Sequence, residues 1–147
     1  IIGSAKALGF GATISRSELF PSEKNRLGST FGGGDLLSSM QGVFTLEAIE
    51  EYDLLDNATT RGEQAKEMVR DDAPDYVEDV RGKGLMLAIE FDTPERRDTV
   101  VEEALKRGLL TLGCGSKTIR LLPPLDSTER EIELGVGIFT DAIAAAQ

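Results

Sequence analysis

At 147 residues with 40% hydrophobic composition, the chain is long enough for one domain, or a small domain plus part of another. Acidic residues outnumber basic ones 26 to 16, and the formal net charge of −10 argues against nucleic acid as a partner, since a phosphate backbone would be repelled. No apolar run has membrane-spanning length, Cys114 is the single cysteine and histidine is absent, which argues against disulfides, zinc chemistry and Ser-His or Cys-His catalysis within this chain.

Arginine is preferred over lysine among the basic residues. Two readings of the acidic balance stay open: a surface adapted to high salt, where carboxylates keep it hydrated, and an ordinary acidic cytosolic protein. The first residues lack the basic region and cleavage pattern of a secretory leader. They begin in what reads as a buried strand without an initiating Met, so the sequence is expected to be the C-terminal piece of a longer protein.

Two short extended pieces are predicted around Lys6, the second over Ala12-Thr13-Ile14-Ser15. Residues 21–34 turn polar and then glycine-rich, as in a loop. Leu36, Leu37, Met40, Phe44, Ala48 and Ile49 recur at helical spacing between Asp35 and Tyr52. A second helix is predicted from Asp53 to Arg70, with Leu54, Leu55, Ala58, Gly62, Ala65 and Val69 on one face, and Pro74 closes it off. Gly84 to Phe91 alternates like a half-buried strand. Thr93-Pro94 opens an amphipathic helix that Gly108 ends. Strands are expected over Leu109–Leu112 and Thr118–Leu122. Thr128 and Glu131 have capping-box spacing ahead of a last helix reaching about Ala145. The boundary is placed after residue 70, with 71–147 as a small α+β domain whose short sheet is covered on one face by helices.

Three segments carry candidate chemistry. Lys6 ends a short apolar run among Gly3, Gly9 and Gly11. A lysine held against dry, crowded backbone is disfavoured as an ammonium ion, and a neutral amine can form a Schiff base. The alternative is a strand-end lysine with its ammonium in water. Ser29-Thr30-Phe31-Gly32-Gly33-Gly34 can turn backbone N–H groups and hydroxyls toward an anion, or serve as a flexible linker; it lacks the lysine and spacing of a Walker loop. Arg120 alternates with Ile119 and Leu121 on a strand, where it either grips a carboxylate in bidentate fashion or faces solvent. Val80-Arg81-Gly82-Lys83-Gly84 is read as a structural turn, with anion binding as the alternative. Cys114, between Gly113 and Gly115, is read as a small filler rather than a nucleophile.

These segments together resemble the class III pyridoxal-phosphate-dependent aminotransferases, the omega-amino-acid group, in their C-terminal part. Ser4-Ala5-Lys6-Ala7 is similar to the signature whose lysine carries the cofactor. Gly28-Ser29-Thr30-Phe31-Gly32 resembles the stretch whose threonine touches the cofactor phosphate from the neighbouring subunit. Asp79-Val80-Arg81-Gly82-Lys83-Gly84 resembles the family's approach to a strand, and Thr118-Ile119-Arg120-Leu121-Leu122-Pro123-Pro124-Leu125 the segment whose arginine binds the substrate's α-carboxylate. Arg26-Leu27-Gly28-Ser29-Thr30 and Pro123-Pro124 lean toward the lysine 6-aminotransferase branch, beside 4-aminobutyrate aminotransferases. The compact Ala7-Leu8-Gly9-Phe10 departs from the longer glycine-rich insertion common in the family.

The resemblance implies an α/β fold type I transferase, here a remnant of the large domain plus the small domain. It implies pyridoxal 5'-phosphate bound by Lys6, Ser29 and Thr30, with Lys6 as catalytic Schiff-base lysine and Arg120 as substrate residue. It implies transfer of an amino group from an omega-amino acid or similar amine to a keto acid, 2-oxoglutarate, by a cytoplasmic enzyme that is a homodimer when full length, with no nucleic-acid or membrane partner and no metal. Other readings are a catalytically incomplete piece that only dimerises or binds an anion, and an aminomutase-type relative that needs no keto acid.

Overall fold

The computed structural model describes residues 2–4, 6–9, 11–23 and 35–146. Their contacts divide the chain into two compact units, Ile1–Asp53 and Leu54–Gln147. The boundary lies at Asp53/Leu54, not after residue 70, because the second helix makes its contacts with the sheet and last helix of the C-terminal unit. Among the described residues no helix is long and apolar enough to cross a membrane.

In the first unit, β1 (Ile2–Ser4) pairs antiparallel with β2 (Ala12–Ile14), in the register Ile2 to Ile14 and Ser4 to Ala12. A 3-10 turn over Lys6–Leu8 joins them and closes when the Gly9 amide donates to the Lys6 carbonyl at 2.8 Å. Helix α1 (Leu36–Glu51) starts where expected. Asp35 caps it, its carboxylate accepting from the Ser38 amide at 2.8 Å. That bond holds the Asp35 carboxyl below its ordinary range. Leu36, Leu37, Met40 and Phe44, which recur at helical spacing, are exposed, as are Val43 and Leu46. Apolar residues run all round α1, which has no solvent-suited face to turn outward.

The second unit is the expected α+β layer. Helix α2 (Leu54–Asp71) precedes β3 (Val77–Lys83) and β4 (Met86–Phe91); α3 (Pro94–Lys106) precedes β5 (Leu112–Cys114) and β6 (Thr118–Leu121); α4 (Glu129–Ala144) ends the unit. The sheet is antiparallel, in the order β3-β4-β6-β5. Leu87, Ile89, Phe91 and Ile119 turn one face inward against Ala65 and Val69 of α2, Val100 and Ala104 of α3, and Val136, Phe139 and Ile143 of α4. Each such large side chain contributes about 1.5–3 kcal/mol of transfer free energy.

Three local readings are corrected. Residues 80–83 belong to a strand rather than a turn; the turn falls at Gly84-Leu85, with Gly84 at φ +53°. Gly82 lies against the next strand, since a β-carbon on it would come 2.3 Å from the Met86 carbonyl oxygen. The strand after α3 begins at Leu112, not Leu109, because the Leu109 amide folds back to donate to the Ala104 carbonyl at 2.9 Å, with Gly108 at φ +86°. Finally, Leu122 lies beyond the end of β6.

Candidate active site

Lys6 sits at the first position of the 3-10 turn with φ +49°, a left-handed backbone that is uncommon for a residue with a β-carbon. Its side chain is exposed, contrary to the expected burial. Helix α1 packs against this turn, with Gln41 beside Gly9, and leaves the Lys6 side chain exposed. A β-carbon on Gly3 or Gly11 would meet nothing within 4 Å, whereas one on Gly9 would come 2.9 Å from the Gln41 side chain. A primary amine exposed on this turn can condense with an aldehyde, which is the chemistry that pyridoxal phosphate requires of a lysine. Ser29 and Thr30 lie outside the described residues.

Arg120, in β6 of the second unit, stands in a cross-strand row with Arg81, Ala88 and Leu112. Residues directly opposite on neighbouring strands share a face, here the face away from the helices. Arg81 is fully engaged, donating to Asp79 and to Glu90 at 2.7 Å each. Its pKa is raised by Asp79 first and Glu90 second. Glu90, on the same face, is held below the ordinary carboxylate range chiefly by Arg81 and further by Lys117, whose ammonium is 3.5 Å away. Lys117 also binds Glu78, the main cause of its raised pKa.

The residue facing Arg120 on β4 is Ala88, which has no group to offer it. The nearby acid on that strand, Glu90, is already shared by two cations. Arg120 therefore makes no hydrogen bond or ion pair among the described residues. It is half-buried and forms part of the wall of a cleft of about 980 Å³, otherwise mainly apolar, with Leu112, Leu122, Pro124 and Ile132. An unpaired guanidinium in an apolar wall is poised for a planar anion. Arg81, by contrast, is engaged by two carboxylates, which leaves it no free donor face for an anion. Cys114 is exposed on the edge strand rather than filling space.

The loop after β6 is fastened from a distance. Asn57 of α2 donates both amide hydrogens to it, to the Leu125 carbonyl at 2.8 Å and the Ser127 carbonyl at 3.0 Å. The sequence reading passed over Asn57. The available signal was a poor helix former early in a helix, next to Ala58 of the apolar face, which points to a side chain bonded elsewhere.

The family model for class-III aminotransferases matches residues 1–143. The chain belongs to the class-III aminotransferase family. Members of this family are pyridoxal-phosphate-dependent transaminases. The chain is 38% identical over 138 residues to the acetylornithine aminotransferase of Prochlorococcus marinus, covering 88% of this chain and 33% of that protein. It is 33% identical over 125 residues to the L-lysine-epsilon aminotransferase of Amycolatopsis lactamdurans, covering 82% and 28%.

Among solved structures, the lysine aminotransferase from M. tuberculosis superposes with a TM-score of 0.75 at 30% identity, over 84% of this chain and 29% of that one. The ornithine aminotransferase from Toxoplasma gondii gives 0.78 at 26% identity, over 84% and 30%. The class-III aminotransferase chain thus spans about a third of the length of these relatives. Its fold is the expected part of the fold type I architecture.

Proposed function

We propose that this chain supplies the cofactor lysine and the carboxylate clamp of a transaminase that moves an amino group from an omega-amino acid, of the lysine, ornithine or 4-aminobutyrate type, to 2-oxoglutarate. The observation that carries the reading is Arg120: a guanidinium without a partner among the described residues, in a mainly apolar cleft wall, on a strand that fixes its base. The amine of Lys6 supports it from the other unit, and the relatives' names support the class of donor.

Bound at Lys6, pyridoxal phosphate supplies an electron sink for the carbon that loses its proton. The protein's own residues do the rest. The Lys6 Nζ takes the proton from the amine-bearing carbon as a general base and returns one as a general acid. The Arg120 guanidinium pairs with the substrate's α-carboxylate through two parallel N–H donors, which orients the reacting carbon. Ser29 and Thr30 offer hydroxyl donors to the phosphate, Thr30 from the neighbouring subunit of a cytoplasmic homodimer.

The exposure of Lys6 favours a second statement: these 147 residues alone do not enclose the reacting amine, so activity needs more protein around it. The test is Arg120→Ala in the polypeptide that carries this sequence. KM for 2-oxoglutarate should rise about tenfold to a hundredfold, as loss of a charge-assisted pair implies. KM for a terminal amine lacking an α-carboxylate should stay put. Equal changes in both would refute the clamp.

A further inference from the structure

Two carboxylates share the cleft wall with Arg120: Asp126 and Glu131. Either would neutralise the guanidinium if it reached it, and neither pairs with it. For Glu131 the reason is visible. Its carboxylate accepts from the Thr128 amide at 2.7 Å and the Thr128 hydroxyl at 2.8 Å, in the capping box of α4. For Asp126 the restraint is indirect. The two carbonyls that Asn57 grips belong to Leu125 and Ser127, the residues on either side of Asp126. One side-chain amide thus pins the backbone before and after the acid. The Ser127 amide closes the same loop onto the Pro124 carbonyl at 3.2 Å.

We infer that Asn57 is a positioning residue for the carboxylate site: by holding the Leu125–Ser127 loop it keeps Asp126 off Arg120 and leaves the guanidinium vacant for an external carboxylate. The inference rests on the assignment of Arg120 as the clamp. Without the grip of Asn57, the loop keeps its ends, at β6 and at the α4 cap, and its internal Ser127–Pro124 bond, but loses its anchorage to α2. Asp126 then competes with substrate as an intramolecular carboxylate at high effective concentration. The loss falls on carboxylate affinity and not on the proton transfers of Lys6.

The experiment compares Asn57→Ala, Asn57→Ala with Asp126→Asn, and Arg120→Ala. Each is read by KM for 2-oxoglutarate, KM for an amine lacking an α-carboxylate, kcat, and calorimetric Kd for glutarate. Asn57→Ala should weaken 2-oxoglutarate and glutarate about tenfold and leave kcat and the amine KM within about twofold. Adding Asp126→Asn should restore both carboxylate affinities, a rescue that a purely structural role of Asn57 would not give. Unchanged affinities in Asn57→Ala, or failure of Asp126→Asn to restore them, overturn the proposal. Should Asn57→Ala not fold, Asn57→Asp takes its place, keeping the side-chain volume while losing both donors. Loss of the fold in both also overturns it, because Asn57 then serves α2 rather than Arg120. If Arg120→Ala itself leaves carboxylate affinity intact, the clamp assignment fails and the inference falls with it. A selective Arg120 effect without an Asn57 effect sinks only the inference.

Discussion

Gly62 of α2 runs so close to Gly84 of the β3–β4 turn that a β-carbon on Gly62 would lie 2.1 Å from the Gly84 carbonyl oxygen. Two glycines separated in sequence thereby set how near the helix lies to the hairpin, and the obstruction is backbone, which cannot swing aside. Gly62→Ala should destabilise the unit by about 2–4 kcal/mol in urea denaturation. The sign is diagnostic, because alanine in an unobstructed helix interior is favoured over glycine by about 1 kcal/mol.

Lys6→Ala should abolish the visible absorbance band of pyridoxal phosphate linked to the lysine in the polypeptide that carries this sequence, together with all transamination. An unchanged spectrum would remove Lys6 from the assignment.

The outer face of the sheet predicts an acid limb in stability. Glu90 is held below its ordinary range by Arg81 and then Lys117. A carboxyl depressed in the folded state contributes stability above its unfolded pKa, about 4.5, and that contribution is lost as pH falls through the lower folded value. Glu103, held down by Lys106 and then Arg107, and Asp92, held down by Arg96, act in the same direction. Melting temperature should therefore hold from neutral pH down to about 4.5 and fall below it, and Glu90→Gln should flatten that fall while lowering the neutral-pH value slightly. An identical pH profile in the variant would show that the pairs carry no net stability.

Thr128 and Glu131 satisfy each other's backbone amides at the start of α4. Thr128→Ala should cost about 1 kcal/mol, within the usual range for a cap of this kind. Glu131→Gln keeps an acceptor oxygen and should cost less. It should also remove the Glu131 share of the acid limb, since the Thr128 backbone and hydroxyl bonds depress the native carboxyl. Thermal melts of both variants at pH 7 and pH 4 separate the cap from its charge.

The helices and caps of this chain were legible because each rests on neighbours in sequence. Asp35, Thr93 and Thr128 bond within their own first turns, and Gly108 stops α3 by its own φ. Strand β3 was illegible because its alternation is hidden: Glu78, Asp79, Arg81 and Lys83 surround the single buried Val80 on a sheet edge. Charges suit an edge, where they discourage further strand pairing, but they mask the strand itself. Arg120 was found as a residue, while its vacancy was not. That vacancy depends on Ala88 facing it and on Glu90 being occupied by Arg81 and Lys117, relations that register alone creates. The Lys6 motif was readable, yet its exposure was not, because enclosure depends on how far α1 covers the turn, a relation between residues about thirty-five positions apart. Asn57 escaped notice since its partners lie about seventy residues onward.

Helix α1 has a practical consequence for anyone producing this polypeptide. With Leu37 at 75% and Phe44 at 59% exposure, it offers chaperones and hydrophobic dyes a greasy handle along its length. Produced by themselves, the 147 residues should self-associate through this handle. A shorter piece starting at Leu54, with its core of Leu87, Ile89, Phe91 and Phe139 closed, should stay dispersed at concentrations where the longer one precipitates.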